Sequence, residues 1–200
     1  MKFCSPEQIG FQFLARLSAI VLPHYRSSGV QAVQVPRALD ASWLTDLPLP
    51  LGDGRSHGQT VALVDGSEFH REVSERAIRD AYEERPRTRV YESISARSDG
   101  WFSFATLHFS RLVRCQVVCT MYESNAGDQN LIPHVDQWFG VIVQMRGAKR
   151  WRIWPNENSA PQEKVIETGD VLLLPRGVKH EVRTPDYSVH LVFAITDEPI

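Results

Sequence analysis

Two stretches decide how this chain is read: Pro133-His134-Val135-Asp136, and Gly169-Asp170-Val171-Leu172-Leu173-Leu174-Pro175-Arg176-Gly177-Val178-Lys179-His180. On a strand, residues i and i+2 point to the same face, roughly 6.5–7 Å apart. An imidazole at 134 and a carboxylate at 136 can therefore grip one ion. An aliphatic strand that ends in a Pro-x-Gly turn can return the ring of His180 to the same place. Two histidines and one carboxylate form the set that leaves open positions on non-haem Fe(II). His-x-Asp alone arises often by chance. Followed by a Gly-Asp turn, an aliphatic strand, Pro-x-Gly and a histidine, it is much more specific.

Around these stretches the pattern is that of short strands. Residues 112–122, 138–145, 150–154, 171–174, 180–183 and 189–195 are rich in β-branched, aromatic and aliphatic side chains. Gly127, Gly147, Pro155, Gly169, Gly177 and Pro185 stand between them as turn signals. This density of strands and turns suggests a sandwich or barrel, with jelly rolls among the candidates.

The first half reads differently. Ser5-Pro6-Glu7-Gln8 has the form of a capping box, and Ile9, Phe13, Leu17 and Ile20 or Val21 recur at helical spacing. Pro23 is expected to end that helix. Residues 30–36 read as a strand. Residues 47–60, rich in Pro and Gly, read as a loop that serves either as a lid or as a plain connection. Gly66-Ser67-Glu68 is expected to open a second helix with Phe69, Val73, Ile78 and Tyr82 on its buried side, stopped by Pro86. Residues 101–112 read as a third short helix.

The 200 residues fit one domain, with 1–111 as a helical and strand elaboration and 112–200 as a metal-binding β-helix core. The 22 basic and 24 acidic residues nearly cancel, which gives no support to bulk nucleic-acid binding. The apolar run 11–23 is too short and too polar to span a bilayer or to serve as a signal peptide. Three cysteines, Cys4, Cys115 and Cys119, show no CxxC spacing. They point to a reducing cytoplasm, with Cys115 and Cys119 as small core residues.

The runs 133–154, 169–182 and 188–195 resemble the JmjC-type, cupin-4-like hydroxylases, and the resemblance covers roughly residues 112–195. It implies a mainly β fold with a helical N-terminal elaboration, a double-stranded β-helix of the jelly-roll type. It implies Fe(II) on His134, Asp136 and His180, with 2-oxoglutarate and O2 as co-substrates. Lys149 falls on the family's clamp for the far carboxylate of 2-oxoglutarate, and shares a strand face with Trp151 and Ile153. Ser188 falls where the family often places a hydroxyl beside the same carboxylate, and Thr120 and Tyr122 would line the same cavity. Gln144 fits the inner face, and His190 reads either as a contact in the cavity or as a hydrogen-bonded core histidine. Tyr91, Trp101, Phe102, Trp138 and Arg176 are candidates for a mouth built with the 46–60 and 124–132 loops.

The implied activity is hydroxylation of a C–H bond in an amino-acid side chain that is free, peptide-borne or carrier-tethered. No nucleic-acid or membrane partner is expected, and a homodimer is a weak expectation. Two other readings keep the barrel: a metal-dependent cupin that does not use 2-oxoglutarate, and a non-catalytic binding module.

Overall fold

The computed structural model describes residues 5–27, 31–51, 55–56, 59–97, 100–156 and 158–200. In chain order the elements are α1 (Pro6–Arg26), β1 (Val33–Val35), α2 (Ala41–Asp46), β2 (Arg55–Ser56), β3 (Gln59–Thr60), β4 (Ala62–Asp65), β5 (Glu68–His70), α3 (Glu75–Glu84), β6 (Arg89–Tyr91), α4 (Ile94–Arg97) and α5 (Trp101–Val113). There follow β7 (Cys115–Ser124), β8 (Phe139–Ile153), β9 (Gln162–Glu167), β10 (Val171–Leu174), β11 (His180–Arg183) and β12 (Ser188–Pro199). Among the described residues no helix is long and apolar enough to cross a membrane.

All the named strand pairings are antiparallel, and the main sheet runs β1-β10-β8-β12-β7-β6-β4-β5. β8 belongs to two sheets. Residues 139–147 pair with β10 and β12, and residues 148–153 pair with β9 and β11. A strand that changes sheets in this way makes the corner of a barrel. The fold is a jelly roll with helices packed on one face.

The alternation of strand residues divides the molecule. Val117, Cys119 and Met121 of β7, Val141 and Val143 of β8, and Leu191 and Phe193 of β12 face a dry core with Phe13, Leu17, Trp101 and Phe109 from α1 and α5. Val118, Thr120 and Tyr122 of β7 and His190, Val192 and Ala194 of β12 line a cavity on the other face. The two helices approach closely because residue 10 is glycine. A Cβ there would lie 2.8 Å from the carbonyl oxygen of Trp101.

Several expectations are corrected. β8 is one strand where two were read, and Gly147 is a bend within it. Val189 pairs with Arg146 but His190 pairs with Gln144, so Met145 is the extra residue of a bulge. The bulge flips parity: Ile142 faces the cavity before it, and Lys149 and Trp151 after it. Gly147 has φ 64°, and a Cβ would clash with the Tyr187 carbonyl.

Gly66-Ser67 does not open a helix. It is the two-residue turn of a hairpin in which Asp65 pairs with Glu68, with Gly66 at φ 63° as such turns demand. Phe69 is therefore a strand residue on the cavity, and Val73 is exposed. The helix starts later, at α3, where Ser74 Oγ accepts from the Ala77 amide. Ile78 is its buried residue, and it ends before Pro86.

Pro23 lies inside α1, which runs on to Arg26. The carbonyl left without a partner belongs to Ala19 on the exposed side, where water can satisfy it. The Ser5–Gln8 capping box and the helix at 101–112 form as read, the latter extending one residue to Val113. The strand read at 30–36 is Val33–Val35, paired with β10, and Val30 lies outside the described residues. Of the stretch 47–60 read as a loop, residues 52–54 and 57–58 lie outside them too, as does Cys4, and the described part carries the short β2–β3 pairing. Cys119 is fully buried, and Cys115 is partly buried beside Tyr25.

Candidate metal centre

His134 and Asp136 sit in the segment between β7 and β8, where a strand was expected. His134 touches β11 through a single antiparallel bridge to His180, with amide–carbonyl hydrogen bonds of 3.0 and 2.9 Å in both directions. The Pro175–Gly177 turn is tied to the same segment, because the Gly177 amide donates to the Asp136 carbonyl at 2.9 Å. Backbone hydrogen bonds thus hold both sequence motifs together before any ion is considered.

The side chains converge. His134 Nε2 lies 3.8 Å from Asp136 Oδ1, and His180 Nε2 lies 3.7 Å from Asp136 Oδ2. One donor atom from each residue lies within 4.8 Å of the others. Each imidazole spends its other nitrogen on backbone: His134 Nδ1 pairs with Ile132 O at 2.8 Å and His180 Nδ1 with Val178 O at 3.0 Å. Those bonds set the tautomer that leaves both Nε2 lone pairs free for a metal. Burial pushes His180 down to about 4, with the neighbouring His134 adding to the effect, so its ring is neutral, the ligating form. Burial raises the Asp136 carboxyl, and His134 pulls it back. The donor set is the one that suits Fe(II) with positions to spare.

All three residues open onto one cavity of about 450 Å3. Its walls carry Thr120, Tyr122, Trp138, Lys149, Trp151 and His190. Asn130, Thr88 and Glu92 add to its polar part, and Phe69 and Leu131 to its apolar part. Lys149 is 1 % exposed, and its Nζ donates to Ser124 Oγ at 2.9 Å and Asn130 Oδ1 at 3.1 Å. Among the described residues no carboxylate pairs with it. Burial pushes its ammonium down to about 7, opposed by the charge of Asp128. Arg150, next to it, is exposed.

The rings are stacked in sequence. Trp151 stacks on His180 at 5.6 Å, and Tyr122 lies parallel to His190 at 4.9 Å. Three buried nitrogens on the cavity wall, Trp138 Nε1, Trp151 Nε1 and His190 Nδ1, have no hydrogen-bond partner among the described residues. Such groups are costly unless a ligand or water meets them.

Residues 101–199 match the JmjC domain. Over that span the chain belongs to the JmjC family. A JmjC relative, ribosomal oxygenase 2 of Mus musculus, is 34% identical over 105 residues, covering 44% of this chain and 22% of its own. A second, the bifunctional lysine-specific demethylase and histidyl-hydroxylase NO66 of Dictyostelium discoideum, is 30% identical over 133 residues, covering 55% of this chain and 25% of its own. The chain thus spans about a quarter of the length of these relatives. Escherichia coli YcfD, a ribosomal oxygenase, shares the fold, with a TM-score of 0.60 in its complex with cobalt and 2-oxoglutarate. The likeness covers 88% of this chain and 51% of that one, at 17% identity.

Other expected site residues lie elsewhere. Ser188 does not line the cavity. Its Oγ accepts from Gln144 Nε2 at 2.7 Å, because the bulge after Gln144 turns that amide toward β12. Gln144 is fully buried with it and does not reach the cavity. Tyr91 is a core residue whose hydroxyl donates to Glu123, and Trp101 and Phe102 pack in the helical core, where Trp101 Nε1 donates to Pro48 O. Arg176 pairs with Asp197 on the surface. Trp138 alone of the five mouth candidates lines the cavity. Ser124 and Asn130, which hold Lys149, and Thr88, which bonds both of them, carry no signal in the sequence. Asn130 lay in a polar loop visible in the sequence, but nothing there distinguished it from its neighbours.

Proposed function

We propose that this chain is an Fe(II)/2-oxoglutarate-dependent oxygenase that hydroxylates a C–H bond of an amino-acid side chain within a peptide or protein. One observation carries the reading: a two-histidine, one-carboxylate cluster and a buried lysine without a carboxylate partner among the described residues open onto the same cavity. The names of its JmjC relatives, ribosomal oxygenase and histidyl-hydroxylase, support a side chain in a polypeptide as the substrate.

In this reading His134 Nε2, Asp136 and His180 Nε2 hold the iron. When bound, the metal supplies open coordination positions and the oxygen chemistry. Lys149 receives the far carboxylate of the dianion, which restores the charge balance that burial of the ammonium lacks. Trp151, stacked on His180, and the Tyr122–His190 pair give the cavity flat aromatic walls. The free nitrogens of Trp138, Trp151 and His190 offer hydrogen bonds to the bound molecules. A volume of about 450 Å3 accommodates a five-carbon dicarboxylate together with the end of a side chain.

The test is succinate release. Protein loaded anaerobically with Fe(II) is given 2-oxoglutarate, O2 and a panel of amino acids and peptides, and products are read by mass spectrometry for the gain of one oxygen atom. Peptide-stimulated succinate formation is expected. Asp136→Ala should lose both iron and turnover, since two imidazoles alone hold iron weakly. Succinate formation by that variant at the wild-type rate would overturn the site.

A further inference from the structure

We infer that Asn130 is a positioning residue that keeps Lys149 available to a dicarboxylate by offering its ammonium a neutral acceptor where a carboxylate would capture it. The inference rests on the co-substrate reading above. A buried ammonium is ordinarily matched by an acidic side chain, because an unpaired internal charge is strongly destabilising. Among the described residues Lys149 finds only Ser124 Oγ at 2.9 Å and Asn130 Oδ1 at 3.1 Å. An ammonium has three donors. Two are engaged among the described residues, so one donor and the whole positive charge remain for a ligand.

Asn130 is the hub of this cradle. Its Oδ1 also accepts from Thr184 Oγ1 at 2.9 Å and Thr88 Oγ1 at 3.2 Å, while its Nδ2 donates to Asp128 O at 2.8 Å. Donors on one side and a carbonyl on the other define which way the amide points. Thr88 and Ser124 share a further hydrogen bond of 2.8 Å. The cradle therefore gathers Thr88 before β6, Ser124 at the end of β7 and Thr184 after β11 onto the segment that leads to His134. That segment is itself anchored. Thr88 N donates to Gln129 O at 2.9 Å, Tyr82 Oη to Asp128 Oδ1 at 2.8 Å, and Asn125 N to Asp128 Oδ2 at 2.8 Å. Asp128, the acidic group whose charge Lys149 feels, has both its oxygens occupied by these partners and does not pair with Nζ.

An aspartate in place of Asn130 would fit the same volume and neutralise Lys149 internally. The far carboxylate of a 2-oxo acid would then compete with an ion pair already made. The consequence is a selectivity: the neutral amide lets the pocket prefer a 2-oxo acid ending in a carboxylate over one ending in a methyl group.

Calorimetric binding of 2-oxoglutarate and of 2-oxopentanoate to the Zn(II)-loaded protein tests this. The two acids share a five-carbon chain and differ at the far end. Wild type should prefer 2-oxoglutarate by about 100-fold or more. N130D should compress that preference below about fivefold through loss of 2-oxoglutarate affinity, with 2-oxopentanoate binding within about twofold of wild type. N130A, which removes the hub without adding charge, should keep most of the preference. Retention of the wild-type ratio in N130D, or its equal collapse in N130A, would overturn the role of Asn130 and leave the oxygenase reading standing. Wild type that binds neither acid would overturn the oxygenase reading itself.

Discussion

The two faces of the sheet formed by β7, β8 and β12 are built from alternate residues of the same strands, yet they obey opposite rules. On the helical side Phe193 is fully buried, with ring contacts to Phe13 at 5.8 Å and Phe109 at 6.0 Å. That face is dry and apolar, apart from hydroxyls and thiols such as Cys119. On the cavity side the adjacent residue, Val192, shares its wall with Lys149, the metal donors, and the nitrogens of Trp138, Trp151 and His190 that have no hydrogen-bond partner among the described residues. The comparison teaches that stability and function are divided by side-chain parity rather than by segment. One face is packed to hold the fold, and the other leaves charge and hydrogen-bonding capacity unspent.

The sharpest way to break this comparison is Lys149→Ala. It should weaken 2-oxoglutarate binding by about 100-fold while leaving the urea midpoint of the ligand-free protein unchanged or higher, since a buried charge is removed. A large loss of stability with unchanged affinity would place Lys149 with the packing residues. A second break is a pair of adjacent substitutions. Phe193→Ala should cost about 3–5 kcal/mol of unfolding free energy, and Val192→Ala under about 1.5 kcal/mol, because only the former empties a close-packed core. Equal losses measured by urea denaturation would erase the distinction between faces.

A further break of the comparison is a pH dependence. Burial lowers Lys149 from 10.5 to about 7 in the folded protein. Between those values the unfolded chain binds a proton that the folded chain does not, so stability should rise with pH from about 7 to about 10.5. Lys149→Met should lose that part of the rise. A pH profile of the urea midpoint that is identical in wild type and variant would show that the ammonium is solvated in the folded state.

Legibility followed the range of the interactions. The capping box at Ser5 and Gln8, the helix at 101–112 and the strands after it, apart from β9 and the continuity of β8, were readable because a few neighbouring residues determine them. Gly66 misled because glycine serves a hairpin turn as readily as a helix boundary. Only the pairing of Asp65 with Glu68 distinguishes the two. His134, Asp136 and His180 stood out because metal-ligating residue types around a Pro-x-Gly turn are rare together. Thr88, Ser124 and Asn130 did not, since hydroxyls and amides are common everywhere and acquire meaning only from the group they face.

By itself the sequence determined the strand-rich second half, the residue types able to ligate a metal, and the parity that puts Lys149 on one strand face with Trp151 and Ile153. These are local properties of composition and spacing. Tertiary structure alone decided that Met145 bulges and reverses the parity of β8, which turns Ser188 toward Gln144 and Lys149 toward the cavity. It also decided that Asn130 meets Lys149. A bulge is a mismatch between two strands, and a cradle joins four segments far apart in the chain, so neither is written in any one stretch of residues.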